Sequence, residues 1–423
     1  MTTPSENFER NTNGRSKAKI LPDQPGTGVD LIRCGQLGLC ADGGHPYPHF
    51  FNALAEAGGL SSVEYLAYWG YAASAVTVIT AVLSPILGTL ADTRNYKKPI
   101  FTFCVAVGVI GCCAMGMAST WLPFLLIFIF AKVGFSGSLV FYDSMLSDVT
   151  VPDRMDEVSS KGYAWGYIGS CVPFVVCLAL VLGAGSIGIS QMTALNLALF
   201  ITAVWWLVTT LPLLRQYKQV HFVEVQEHAI RQSFARIGHT LRHLKEDRQV
   251  FWFLLAFFCY IDGVYTIIDM ATAYGTGLLL ALLVTQIVAF PSALVFGRLS
   301  GQYPSGTLIP VCIAAYAGIA LFAFFLKHQW QFWVLAVVVG MFQGGVQALS
   351  RSHFAKIIPP EKSGEYFGLF DICGKGASFL GTMIVSVGSQ LTGSANVGVG
   401  SLIVLFIVGF VLFRVSFRQG ETV

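Results

Sequence analysis

Between Tyr65 and Arg414 the chain is an almost unbroken series of apolar runs, each close to the 20 or so residues a helix needs to cross a bilayer core. Eleven are legible, at about 65–90, 100–119, 121–146, 162–184, 193–214, 251–275, 278–300, 307–326, 330–350, 364–391 and 396–414. Hydrocarbon offers backbone groups no water to bond, so a chain written this way folds as a bundle of helices. Composition agrees. With 54% hydrophobic and 12% charged residues among 423, and a mean hydropathy of +0.65, there is too little polar surface to coat a soluble domain of this size.

The charged turn Gly88-Thr89-Leu90-Ala91-Asp92-Thr93-Arg94-Asn95-Tyr96-Lys97-Lys98-Pro99 orients the bundle, because basic residues are retained on the cytoplasmic side. If the run before it points inward, then Arg94, Lys97, Lys98, Arg154, Lys161, Arg215, Arg298, Arg351, Lys356 and Arg414 are all cytoplasmic, and Lys327 lies outside. The C-terminus is then cytoplasmic. The net charge of +3 is small and confined to turns, which excludes nucleic acid as a partner.

Residues 1–30 are polar, rich in Pro, Gly and Asn, without the apolar core of a signal peptide, and read as a disordered cytoplasmic tail. Residues 31–64 carry Arg33, Asp42, His45, Pro46, Pro48, His49 and Glu56, too many interruptions for a regular span, so this region reads as an atypical or lost first helix. Cys34, Cys40, His45 and His49 have a loosely zinc-like spacing, but no metal or other cofactor is expected there. Most cysteines fall inside apolar runs, where they act as small hydrophobes, and no disulfide framework is expected.

The remaining organisation is an N-terminal transmembrane half at 65–214, a cytoplasmic linker at 215–250, a C-terminal transmembrane half at 251–414 and a short tail at 415–423. Within the linker, Ile230, Phe234, Ile237, Leu241 and Leu244 repeat at helical spacing and predict an amphipathic helix at the membrane surface. Gly297-Arg298-Leu299-Ser300-Gly301 echoes Gly88 to Asp92 at the corresponding place in the second half, the weak symmetry of a transporter built from repeats.

On these residues the chain resembles the major facilitator superfamily, whose turn between helices two and three follows G-x-L-A-D-R-x-G-R-K. Gly88, Leu90, Ala91, Asp92 and Lys97 match, while Thr93, Asn95 and Tyr96 stand where the family has Arg, Gly and Arg. Asn tolerates the left-handed backbone that the missing glycine would supply. More closely, the chain resembles the vacuole-effluxer-like branch, relatives of fungal autophagy-related vacuolar amino-acid effluxers. That likeness rests on Gly134 to Asp143, Arg154 to Ala164, Asp262 to Ile267, Gln343 to Arg351 and Glu365 to Asp371. It implies an all-α polytopic fold of two six-helix halves.

Ionisable groups at membrane depth are costly and mark candidate sites. Tyr142, Asp143, Tyr260, Asp262, Thr266 and Asp269 are candidates for a substrate or proton cavity, and the resemblance places Asp143 and Asp262 on cavity-lining helices. Gln343 and Gln347 form a polar stripe suited to a zwitterionic or polyhydroxyl solute. Gly88, Asp92, Arg94, Lys97, Arg154, Arg351, Asp371 and Lys375 are assigned to gates and the orienting turn, with Arg351 expected to meet an acidic loop residue and Asp371 to pair with Lys375 at i, i+4.

No reactive constellation supports an enzyme. The expected activity is secondary transport by alternating access, efflux or exchange of a small polar solute, with amino acids and protons as candidate cargo and coupling ion. A monomer in contact with membrane lipid is expected, in the plasma membrane if the source is bacterial and the vacuolar membrane if it is fungal. The alternatives are a non-transporting relative damaged in its first helix and a multidrug exporter.

Overall fold

The structure, a computed structural model, describes residues 46–224, 238, 240, 242–273 and 278–420. Its long helices are α1 (Pro46–Ala57), α2 (Ser62–Ala91), α3 (Lys97–Met115), α4 (Trp121–Ser144), α5 (Met155–Leu182), α6 (Gln191–Gln216), α7 (Arg248–Ala273), α8 (Leu278–Leu299), α9 (Ser305–Ala323), α10 (Gln329–Ile357), α11 (Ser363–Thr392) and α12 (Ile403–Gly420). Eleven helices, α2 onward, are long and apolar enough to cross a membrane, as the apolar runs predict.

The region 31–64 is not simply lost. It holds α1, whose 12 residues extend about 18 Å, short of a bilayer core of about 30 Å. Phe50, Phe51 and Ala55 are buried, with Phe50 stacked on Phe124 at 5.1 Å and Phe51 against Trp69 at 5.5 Å. Aromatic packing therefore seats this half-length helix on α2 and α4. The tail 1–30, the set Cys34, Cys40 and His45, and Ile230, Phe234, Ile237 and Leu241 of the amphipathic pattern lie outside the described residues.

Two helices extend further than hydropathy suggests. Helix α5 starts at Met155 rather than near 162, and α10 continues to Ile357 rather than stopping near 350. Both extensions carry charges, and these charges find partners in the opposite half: Lys356 Nζ meets Asp156 Oδ2 at 2.6 Å. A hydropathy window cannot register such a pair. The Ser61 hydroxyl and Glu64 form a reciprocal capping box that starts α2, and Asn95 adopts the left-handed conformation, φ 65°, that ends the turn before α3.

One apolar core is built mainly from α7 to α12 around Phe253, Phe257, Phe354, Phe370, Phe406 and Phe413, another from α1 to α6 around Phe101, Phe124, Phe135 and Trp206. Between them Tyr163, Ala164 and Tyr167 of α5 pack on Ala289, Ala293 and Ala348 of α8 and α10. Small side chains along this seam let the helices of the two halves approach closely without fusing the cores.

Candidate functional site

The halves are joined at the end of the bundle that carries Arg94, Lys97, Arg154 and Lys356, here called the basic end. Helix α11 begins there with no side-chain cap of its own. Its first-turn N–H groups are capped instead from the other half: Gly364 N–H donates to Asp92 Oδ1 at 2.7 Å and Glu365 N–H to Asp92 Oδ2 at 2.9 Å. A carboxylate on a helix N-terminus also complements the macrodipole, so Asp92 does for α11 what an N-cap residue normally does within one chain segment.

Only glycine permits this approach. A Cβ on Gly88 would lie 2.2 Å from the Gly364 carbonyl oxygen. Gly88→Val is therefore expected to hold the basic end apart. The check is maleimide labelling of Ser159→Cys, buried at the seam with its native hydroxyl on the Ala348 carbonyl at 2.8 Å, in a background stripped of other accessible cysteines. Labelling should rise markedly; an unchanged rate would count against a glycine-dependent closure.

Lys97 lies at the centre of this contact. Its fully buried ammonium donates to Ser363 Oγ at 2.8 Å, and lies 3.3 Å from Asp148 Oδ2 and 3.8 Å from Asp92 Oδ1. The positions where the family has additional arginines are Thr93 and Tyr96, and this single lysine serves both carboxylates. Asp148 is held further by the Tyr217 hydroxyl at 2.5 Å and by the Val220 and His221 N–H groups at 3.2 and 2.8 Å. Burial, then the neighbouring Asp148 charge, holds the Tyr217 phenol above its ordinary pKa, so it stays a hydrogen-bond donor.

The chain leaving α6 thus folds back as a strap over the orienting turn. Arg94 N–H donates to the Val223 carbonyl at 3.1 Å, Val223 N–H to the Asp92 carbonyl at 2.8 Å, and Gln219 Nε2 to the Ala91 carbonyl at 3.1 Å. Arg94 itself is exposed, stacked over Phe222 and 3.5 Å from Glu224. Arg154 is also exposed and pairs with Glu157 at 3.2 Å, an arrangement worth little in water.

Deeper in the bundle lies a second layer. Arg351 of α10 is completely buried, its Nε 3.1 Å from Asp143 Oδ1 of α4 and its guanidinium 4.7 Å from the centre of the Tyr142 ring. Arg351 therefore pairs inside the bundle with a helical carboxylate of the opposite half, not with an acidic loop residue, because α10 continues as helix past it and keeps it facing the seam. On α11, Lys375 Nζ meets Asp371 Oδ2 at 2.6 Å, the expected i, i+4 pair, and the Ser84 hydroxyl of α2 donates to the same oxygen at 3.0 Å. The Tyr167 hydroxyl donates to Gln347 Oε1 at 2.8 Å, and Tyr260 and Ser350 share a 2.6 Å hydroxyl contact. Gln343 lies one turn further along α10, buried.

The geometry does not bring Asp262 to this layer. It is fully buried against α11, its Oδ2 accepting from Gly381 N–H at 2.7 Å and its Oδ1 from the Thr266 hydroxyl at 3.3 Å. The side chain of Asp269 lies outside the described residues. A Cβ on Gly381 would lie 2.1 Å from Thr266 Oγ1 and 2.7 Å from Asp262 Oδ1. Gly381→Ala should lower the thermal stability of the detergent-solubilised protein by about 1–3 kcal/mol, the usual cost of overpacking. A stability equal to that of the native protein would show that α7 and α11 part easily there.

Sequence reading alone missed Ser84, Tyr217, Gln219, His221 and Ser363. None carries a motif; each becomes informative only when the strap or α11 is brought against the turn and α2.

The family profile described as "Vacuole effluxer Atg22 like" matches residues 40–154 and 147–422, and so spans nearly the whole bundle. The chain belongs to the vacuole effluxer Atg22-like family. It is 41% identical over 387 residues to the uncharacterized MFS-type transporter YxiO of Bacillus subtilis (strain 168), covering 89% of this chain and 90% of that protein. It is 25% identical over 431 residues to Autophagy-related protein 22 of Coccidioides immitis (strain RS), covering 80% and 70%. The fold is that of the major facilitator transporter FucP in the outward conformation, with TM-score 0.71 at 16% identity, covering 92% of this chain and 97% of FucP. This Atg22-like chain is accordingly a multi-pass membrane protein and a secondary transporter, not an enzyme.

Proposed function

We propose that this transporter moves small solutes bearing both a carboxylate and an ammonium group, amino acids foremost, by alternating access, with the basic end in the cytoplasm and closed in the conformation described. The observation that carries the reading is the Arg351 guanidinium. It is buried at the seam, ion-paired with Asp143 at 3.1 Å, and none of its three nitrogens has a hydrogen-bond partner among the described residues. A planar fork of this kind suits bidentate binding of a carboxylate, and a desolvated cation is costly as mere packing.

The Asp371–Lys375 pair, held to α2 by Ser84, supplies charges of both signs on the helix that Asp92 caps. Gln343, Gln347 and Tyr167 extend the polar face. A zwitterion that takes over Arg351 with its carboxylate and Asp143 with its ammonium replaces an ion pair that joins the halves, and this ties binding to opening. Proton coupling through the same pair is part of the proposal. The name "effluxer" belongs to the relatives and favours export. A monomer with a cytoplasmic C-terminus completes the proposal.

The test is solute counterflow in proteoliposomes with a panel of amino acids and sugars, with and without a proton gradient. Saturable amino-acid exchange abolished by Arg351→Gln is expected. Exchange of neutral sugars instead, or exchange of apolar drugs alone, would overturn the zwitterion assignment.

A further inference from the structure

Two side-chain amides of α10, on the side of Arg351 away from the basic end, offer opposite hydrogen-bonding groups. Gln343, Gln347 and Arg351 stand on successive turns of one helix face, each step about 6 Å along the axis. Gln347 is 9% exposed, and its Oε1 accepts from the Tyr167 hydroxyl at 2.8 Å. Tyr167 is fully buried against Ala289, Ala293 and Ala348 in the seam, so its hydroxyl holds the Gln347 amide one way round, with the oxygen engaged and Nε2 left to donate. Gln343 is 8% exposed, and its Oε1 has no hydrogen-bond partner among the described residues. It presents a buried acceptor, which is destabilising until something donates to it.

A donor and an acceptor one turn apart are complementary to a group that carries both an acceptor oxygen and N–H donors, which is a primary carboxamide. A carboxylate side chain would set its oxygens against Gln343 Oε1. An ammonium would leave Gln347 without an acceptor, and an aliphatic side chain would leave both amides unpaired. Spacing then selects the length. A solute carboxylate on Arg351 lies one turn, about 6 Å, from Gln347. In extended glutamine the carboxylate carbon and the side-chain amide carbon are roughly 5 Å apart, with bonds of about 1.5 Å, and in asparagine they are about one bond closer.

We infer that Gln343 and Gln347 clamp a side-chain carboxamide and make glutamine the preferred solute. Arg351 takes the α-carboxylate and Asp143 the α-ammonium. Gln347 Nε2 donates to the side-chain carbonyl, and the side-chain NH2 group donates to Gln343 Oε1. Tyr167 is a positioning residue that acts through Gln347. The inference rests on the zwitterion reading for the two α-groups, while the clamp is read separately, through the solute side chain.

The test is counterflow by the intact protein in proteoliposomes, with glutamine, asparagine, glutamate, leucine and glutaramate, the last keeping the carboxylate and carboxamide of glutamine without its ammonium. The KM for glutamine is expected to lie about tenfold or more below those for glutamate and leucine. Gln343→Met should cut the ratio of leucine KM to glutamine KM about tenfold, with an unfolding temperature in detergent no lower than native, because it removes a buried acceptor that had no partner. Tyr167→Phe should cut the same ratio through the KM for glutamine and not through its maximal rate. Equal KM values for glutamine and leucine in the native protein, with both exchanges abolished by Arg351→Gln, would overturn the clamp and leave the zwitterion reading standing. Exchange of glutaramate as readily as glutamine would leave the clamp standing and overturn the pairing of the ammonium with Asp143. A Gln343→Met variant that weakens glutamine and leucine alike would reduce Gln343 to a structural residue and overturn the clamp. Exchange of no amino acid at all would overturn both readings.

Discussion

Lys97→Met is expected to destabilise the protein by about 3–5 kcal/mol, the usual consequence of removing one partner from a buried charge cluster. The reason is local. Asp92, Asp148 and Lys97 have fully buried side chains, and the ammonium is within 3.8 Å of both carboxylates. Without it, two carboxylates remain out of water and the ammonium charge between them is gone. Asp148 retains Tyr217 and the strap N–H groups, and Asp92 retains the first turn of α11. The loss should therefore fall mainly on the union of the halves, appearing as a lower unfolding temperature in detergent together with faster labelling of Ser159→Cys. Lys97→Met with Asp148→Asn should recover part of the stability, since one stranded charge is then gone. An unaltered unfolding temperature for Lys97→Met would mean that desolvation cancels the attraction and that the remaining contacts, Asp92 on α11 and Lys356 on Asp156, suffice to close this end.

How much of this was legible beforehand depends on the range of each interaction. Helix number and position were readable because hydropathy is a local property, and the runs predict α2 to α12 closely. The i, i+4 pair Asp371–Lys375 was readable for the same reason. The Asn95 turn was readable because only a few residue types accept its backbone. What was hidden is every bond between residues far apart in the chain. Asp92 looks like a solitary acid in a basic turn until Gly364 and Glu365 arrive to be capped. Asp148 looks like one of several carboxylates near a solvated cluster, yet it is fully buried beneath a strap that leaves α6 some seventy positions later. Asp262 is the converse case. As an acid at membrane depth it invites a cavity role, but its carboxylate faces the backbone of α11 at Gly381, so a packing contact uses its acceptors.

Loss of function without loss of fold is the expected outcome for Arg351→Lys, and it separates a binding role from a purely structural one. Lysine keeps the positive charge near Asp143 and the contact with the Tyr142 ring, so the protein should remain folded. It cannot reproduce a two-pronged donor, and the hydrogen bonds to a charged group that are forfeited correspond to a rise of about ten- to hundredfold in KM for the zwitterion proposed as solute, with a smaller change in maximal rate. Arg351→Met should do worse on both counts, because Asp143, with a side chain only 17% exposed, is left facing an apolar neighbour. The double variant Asp143→Asn, Arg351→Gln tells the remaining readings apart. If the pair serves only to hold α4 against α10, a neutral hydrogen-bonded replacement restores closure and solute exchange proceeds with a native KM. If Arg351 receives the solute carboxylate, the double variant regains stability while exchange stays lost, because the charge that desolvates and orients the solute is absent from a seam where little else can replace it.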